Sequence, residues 1–184
     1  MIYLNMKKVL LAGILSILFV GVSFAQVKFG VTAGLNVSKF ANKDLNYDYK
    51  AGFQVGVVAD CGITSNFSII PELLFNQIGS KLKSDDRTDT FTLQYLQLPV
   101  NAAYKFDVAY NSKVLIFAGP YVGYGFSEQF KPLDFGMNAG IGYQFEKIFF
   151  KLQFNQGLSN FNSNHERGPS LKHQNIAVTA GYFF

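Results

Sequence analysis

The sequence predicts an all-β chain, an eight-stranded antiparallel up-and-down transmembrane β-barrel. Three observations carry that reading. Apolar residues recur at every second position through eight successive segments. The positions between them hold mostly glycine, amides and small hydroxyl residues, with a few single charges rather than many lysines and glutamates. The connections between segments alternate between short and long.

Composition sets the class. Hydrophobic residues make up 49% of the 184-residue chain and charged residues only 15%, against roughly 25% charged in soluble domains. Aromatics reach 16%, with 20 Phe, 10 Tyr and no Trp. A chain rich in rings and glycine and poor in charge suits β-structure in an apolar solvent. The formal charge of +4 is spread along the chain without a basic stripe, so no nucleic-acid partner is expected. The lone Cys61 forms no internal disulfide.

Residues 1–25 read as a signal peptide and 26–184 as the barrel. Met6–Lys8 is a basic start, Val9–Val22 an apolar run, and Ser23–Phe24–Ala25 supplies small residues at a cleavage site before Gln26. A retained membrane helix is the rival reading. The uncharged stretch Val9–Ala25 lies at the lower edge of the ~17–25 residues needed to span, and the switch to alternating pattern right after it favours cleavage.

Each strand follows from a period of two. In the first, Val27, Phe29, Val31, Ala33, Leu35 and Val37 share a face against Lys28, Gly30, Thr32, Gly34, Asn36 and Ser38. In the second, Ala51, Phe53, Val55, Val57, Ala59, Cys61 and Ile63 oppose Gly52, Gln54, Gly56, Asp60 and Gly62, with Val58 an intruder. The third, Phe67–Leu82, aligns Phe67, Ile69, Leu73 and Phe75 against Glu72 and Asn76, and Pro71 predicts a kink or bulge. The fourth turns Leu96, Leu98, Val100, Ala102, Tyr104 and Phe106 outward, away from Tyr95, Gln97, Asn101 and Lys105. The fifth and sixth set Val114, Ile116, Tyr124, Phe135, Met137 and Ile141 against a glycine-rich face. The seventh opposes Ile148, Phe150, Leu152 and Phe154 to Lys151, Gln153, Asn155 and Gly157. The eighth opposes Ile176, Val178, Ala180, Tyr182 and Phe184 to Asn175, Thr179 and Gly181.

Short connections ("TSN", "DVAYN", "EK") join strands 2–3, 4–5 and 6–7. Longer polar ones ("FANKDLNYDY", "KSDDRTDT", "SEQFKPLD", "SNFNSNHERGPSLK") join 1–2, 3–4, 5–6 and 7–8. Short turns at one end and long loops at the other are the outer-membrane pattern.

A soluble barrel would also alternate, with its apolar face turned inward. Its wet face would carry many Lys and Glu, partly to block edge pairing. Here that face is mostly Gly, Asn, Gln, Ser and Thr with a few single charges, and the apolar face is nearly free of charge. A Lys or Arg on a lipid face costs about 2–4 kcal/mol at the bilayer midplane, which accounts for that exclusion. Outer-membrane lipid is therefore the expected partner of the apolar face. Tyr182 and Phe184 are expected in an aromatic girdle where the last strand closes against the first.

The segments "FGVTAGLNVSKF", "GFQVGVVADCGITSNFSIIPELLFNQIGSK", "LQYLQLPVNAAYKF", "FAGPYVGYGF", "FGMNAGIGYQF" with "FNQGLSNF", and the terminal "GYFF" together resemble the outer-membrane β-barrel family of Bacteroidota that includes PorT-like proteins. "PELLFNQIGSK" and "YLQLPV" are the most specific of these. The resemblance implies a terminal aromatic, Phe184, read by the barrel-assembly machinery, and it allows a link to secretion-system components.

The residues that carry chemistry are few. Asp60, Glu72, Lys105 and Lys151 fall on the inward face and are expected to form an ion-pair cluster in the lumen. Eight strands leave room for side chains but little for a channel. His165 and His173 have only Glu166 between them, too little for a metal site. Asp85, Asp86, Asp89, Glu128 and Asp134 are assigned to outer loops, where acidic tips are ordinarily solvated. "GPYVGYG" and "GMNAGIG" lie on strands and open no helix, so no dinucleotide or other cofactor is expected. The functional expectation is a non-enzymatic barrel acting in envelope integrity, adhesion or binding through its loops. The alternatives are a secretion accessory and a narrow pore.

Overall fold

The computed structural model describes residues 26–41, 47–84, 87–126, 133–159 and 172–184. They form eight strands: β1 (Gln26–Ala41), β2 (Tyr47–Gly62), β3 (Phe67–Ser84), β4 (Arg87–Ala109), β5 (Ser112–Gly125), β6 (Leu133–Phe145), β7 (Ile148–Gly157) and β8 (Lys172–Phe183). Each pairs antiparallel with its sequence neighbour, and β1 pairs with β8, so the sheet closes as a barrel. Closure leaves no free edge, which is the condition for a sheet to stand in hydrocarbon.

The period of two resolves as read. Phe29, Val55, Leu98 and Ile141 point outward and are 63%, 47%, 44% and 55% exposed. Between them Thr32, Gln54, Gln97 and Asn138 are buried in the lumen. Tyr182 and Phe184 face out, while Phe183 turns inward and is 5% exposed.

Two readings of local structure change. The polar piece "KSDDRTDT" is mostly strand, since β3 runs to Ser84, β4 starts at Arg87 and those two residues are partners. Backbone pairing needs no apolar face once the ladder has left the bilayer, so alternation under-reads it. Pro71 produces no bulge. The register on both of its sides is unbroken, and the shift in the β2–β3 pairing lies between Tyr49 and Gln54 of β2.

The ladders explain how the prolines are tolerated. Ile63 N donates to Phe67 O, Lys105 N to Asn66 O and Phe126 N to Gln94 O. Hydrogen-bonded pairs recur every second residue from those points. The phase therefore sets Pro71 opposite Ala59, Pro99 opposite Glu72 and Pro120 opposite Val100, each where a ladder N–H belongs. Proline has none. The pairs around each proline drop out of the ladder in three adjacent seams, β2–β3, β3–β4 and β4–β5, while the register runs on.

The turns at the short end are tight. Tyr110–Asn111 and Glu146–Lys147 are two-residue connections, with φ of 56° at Asn111 and 50° at Glu146. Asn111 Nδ2 donates to Glu146 Oε1 at 3.2 Å, tying one turn to the other.

Candidate functional site in the barrel lumen

The lumen is filled from the short-turn end upward. At the mouth Lys105 of β4 pairs with Asp60 of β2, and both are buried. Behind them lies an apolar layer made of Val58, Ile70, Ala103, Leu115, Phe117, Phe149 and Phe183. Its Phe149 and Phe183 rings pack with centroids 4.7 Å apart. Val58, an intruder in the sequence pattern, is part of this layer.

Next comes Lys151 of β7. Its Nζ lies 2.6 Å from both carboxylate oxygens of Glu72 on β3, on the far side of the barrel. The same ammonium sits 5.6 Å from the Phe149 ring centroid and 5.8 Å from that of Phe117. A cation between two ring faces and a carboxylate is well matched electrostatically. Asn101 Nδ2 approaches Glu72 Oε1 at 3.5 Å.

The four charged candidates thus meet as two pairs rather than as the single cluster expected. The apolar layer lies between the pairs. A void of about 20 Å³, lined by residues of both pairs and of that layer, is the free space there, room for about one water. An interior read as mostly polar is interrupted by a layer of apolar side chains and rings. Phe149 and Phe183 occupy inward positions, but next to the outward apolar runs of their strands they carry no separate signal.

Further along, buried amides fill the section. Asn76 Nδ2 donates to Gln97 Oε1 at 2.6 Å, and Gln153 Nε2 to Asn155 Oδ1 at 2.6 Å. Nearby polar atoms of Asn36, Gln54, Asn138, Asn175 and Thr179 find no partner among the described residues. Such groups are normally satisfied by internal water.

Asp134 is corrected from outer loop to wall. It belongs to β6, is 2% exposed, accepts from Ser159 Oγ and is hydrogen-bonded by the Tyr121 side chain. His165, Glu166, Asp85, Asp86, Glu128 and the signal segment 1–25 lie outside the described residues. The backbones of Asp89 and His173 are in β4 and β8.

Inward glycines make room for the rings. Gly30 is the cross-strand partner of Phe183 and Gly181 that of Phe149. A Cβ on Gly30 would sit 2.4 Å from the Tyr182 carbonyl oxygen and 2.9 Å from Phe183 Cδ1, and one on Gly181 would run into the Phe149 ring.

A closed eight-stranded barrel, apolar outside and packed inside, is now established. The family model described as "Outer membrane protein beta-barrel domain" matches residues 24–163. The chain belongs to this family. As an outer membrane protein beta-barrel it resides in the outer membrane, with its short turns toward the periplasm. The family match ends before β8, so the closing strand is supplied by the structure. Among solved structures, Neisserial surface protein A is similar at 14% identity, over 85% of this chain and 97% of that one, with a TM-score of 0.55. The outer membrane protein OprG from Pseudomonas aeruginosa is similar at 11% identity, over 85% and 95%, with a TM-score of 0.53. At these identities the likeness is one of fold. No curated protein matches the chain by sequence.

Proposed function

We propose that this outer-membrane barrel is non-enzymatic and non-conducting, a rigid wall that presents its long-loop end for adhesion or binding and so serves envelope integrity. The packed section carries the reading, because buried apolar side chains from β2, β3, β4, β5, β7 and β8, among them Val58, Ile70, Leu115, Phe149 and Phe183, fill the lumen there and leave little room for a water path. Its partners on this reading are membrane lipids, plus the barrel-assembly machinery acting on the terminal aromatic strand, Tyr182 and Phe184 included. Kinship with PorT-like secretion accessories rests on the sequence resemblance.

Two measurements test this. In planar bilayers the wild-type barrel should give no steady conductance; a large steady current would overturn the filled-lumen reading in favour of a pore. Mild detergent extraction followed by pull-down should yield a solitary barrel. Stoichiometric recovery of secretion components would move the assignment to the accessory role.

A further inference from the structure

We propose that the periplasmic mouth of the barrel binds one small phosphate-type oxyanion, held by Lys28, Lys113 and the Thr64 hydroxyl. The mouth contains an open cavity of about 240 Å³ whose lining includes these three residues together with Asp60, Ser68 and Lys105. At ~30 Å³ of liquid volume per water, that is space for about eight waters, ample for a phosphate group.

Charge decides the kind of ligand. The lining carries three ammonium groups and one carboxylate. Lys105 is committed to Asp60 inside the barrel. Lys28 stands opposite Asp60 in the β1–β2 register, yet no ion pair engages it among the described residues. Lys113 Nζ lies 3.0 Å from Asp107 Oδ1, and that carboxylate is 63% exposed. An ion pair so open to water contributes little and gives up its lysine at small cost.

The neutral donor is equally specific. Thr64 Oγ1 accepts the backbone N–H of Phe67 at 3.0 Å and of Asn66 at 3.3 Å. Its acceptor capacity is used, so its own proton is left to donate. The inner lining of the cavity is the Asp60–Lys105 pair with Gln144, so the ammonium groups left for a ligand are those of Lys28 and Lys113.

Two sources supply this chemistry, a free phosphate or the phosphate of a lipid headgroup. The cavity is open at the end of the barrel, so either source can be offered to it, and the two arms of the test distinguish them.

The test uses the full barrel, extracted in a sugar-headgroup detergent and phosphate-free buffer. Calorimetric titration with inorganic phosphate should show one saturable site. Lys28→Gln should weaken it at least tenfold and Thr64→Val several-fold. Lys147→Gln should leave it unchanged, since Lys147 is at the same end but lies over the outward Tyr182 ring, 5.8 Å from its centroid. In a second arm, native mass spectrometry counts bound phospholipid. One lipid retained by wild type and lost from Lys28→Gln identifies the headgroup as the source; phosphate binding without retained lipid identifies the free ion. Absence of both, or equal weakening by Lys28→Gln and Lys147→Gln, overturns the proposal. Heat-modified mobility on gels checks that Lys28→Gln is folded, and Thr64→Val, which alters no charge, decides the matter if it is not.

Discussion

Lys151 and Glu72 face each other across the lumen of the barrel, the ammonium equidistant at 2.6 Å from both carboxylate oxygens, with side chains 5% and 1% exposed. Removing one partner strands a buried charge, whereas replacing both removes the desolvation cost along with the attraction. Lys151→Met should therefore destabilise the barrel by about 3–5 kcal/mol, while the double variant Glu72→Leu/Lys151→Met should lie close to wild type. Urea unfolding in detergent micelles, followed by loss of heat-modified mobility, measures the cycle. With Glu72→Leu as the other single variant, a double variant that loses the sum of the two single losses would show that the pair is not energetically coupled.

The apolar layer is the barrier to water between the mouth and the amide-lined section. Leu115 and Phe149 are 4% and 3% exposed, and their side chains fill the space that separates the two ion pairs. Leu115→Ala/Phe149→Ala should raise single-channel current in planar bilayers from baseline to a measurable level. It should also cost about 5–10 kcal/mol if its two large-to-small losses add. A silent but folded variant would place the barrier elsewhere.

Gly181 exists for the ring opposite it. A Cβ there would overlap Phe149 and approach the Val31 carbonyl oxygen. Gly181→Ala should destabilise by about 1–3 kcal/mol through overpacking. Adding Phe149→Leu should recover part of that loss, as read by the same urea midpoints. No recovery would mean that the Val31 backbone rather than the ring sets the limit.

The three prolines mark a weakened stretch of wall. Pro120 stands where an N–H would reach the Val100 carbonyl. Pro120→Ala supplies that donor and should stabilise by about 0.5–1.5 kcal/mol. The new amide at position 120 should be protected in hydrogen exchange. Fast exchange there would show that the ladder does not re-form and that the strand path, not the missing donor, opens the seam.

Much of this molecule is legible in its sequence because one physical rule governs both. A side chain on a membrane strand faces lipid or lumen, the two alternate, and lipid excludes charge. Phe29 out and Thr32 in, Leu98 out and Gln97 in, and the closing strand with Tyr182 and Phe184 outward all follow from that rule. So do the inward positions of Asp60, Glu72, Lys105 and Lys151.

What a period of two does not encode is height and azimuth inside the barrel. Those depend on the stagger between strands, a property of closure. The tertiary structure alone decides that Lys151 meets Glu72 while Lys105 meets Asp60, that Phe149 and Phe183 converge to seal the space between them, and that Asp134 is wall rather than loop. It also decides that Pro71, Pro99 and Pro120 fall in neighbouring seams. An inward residue gains its partner only when eight strands lock in register, and that register is fixed by the ladder of the whole cylinder rather than by any one segment.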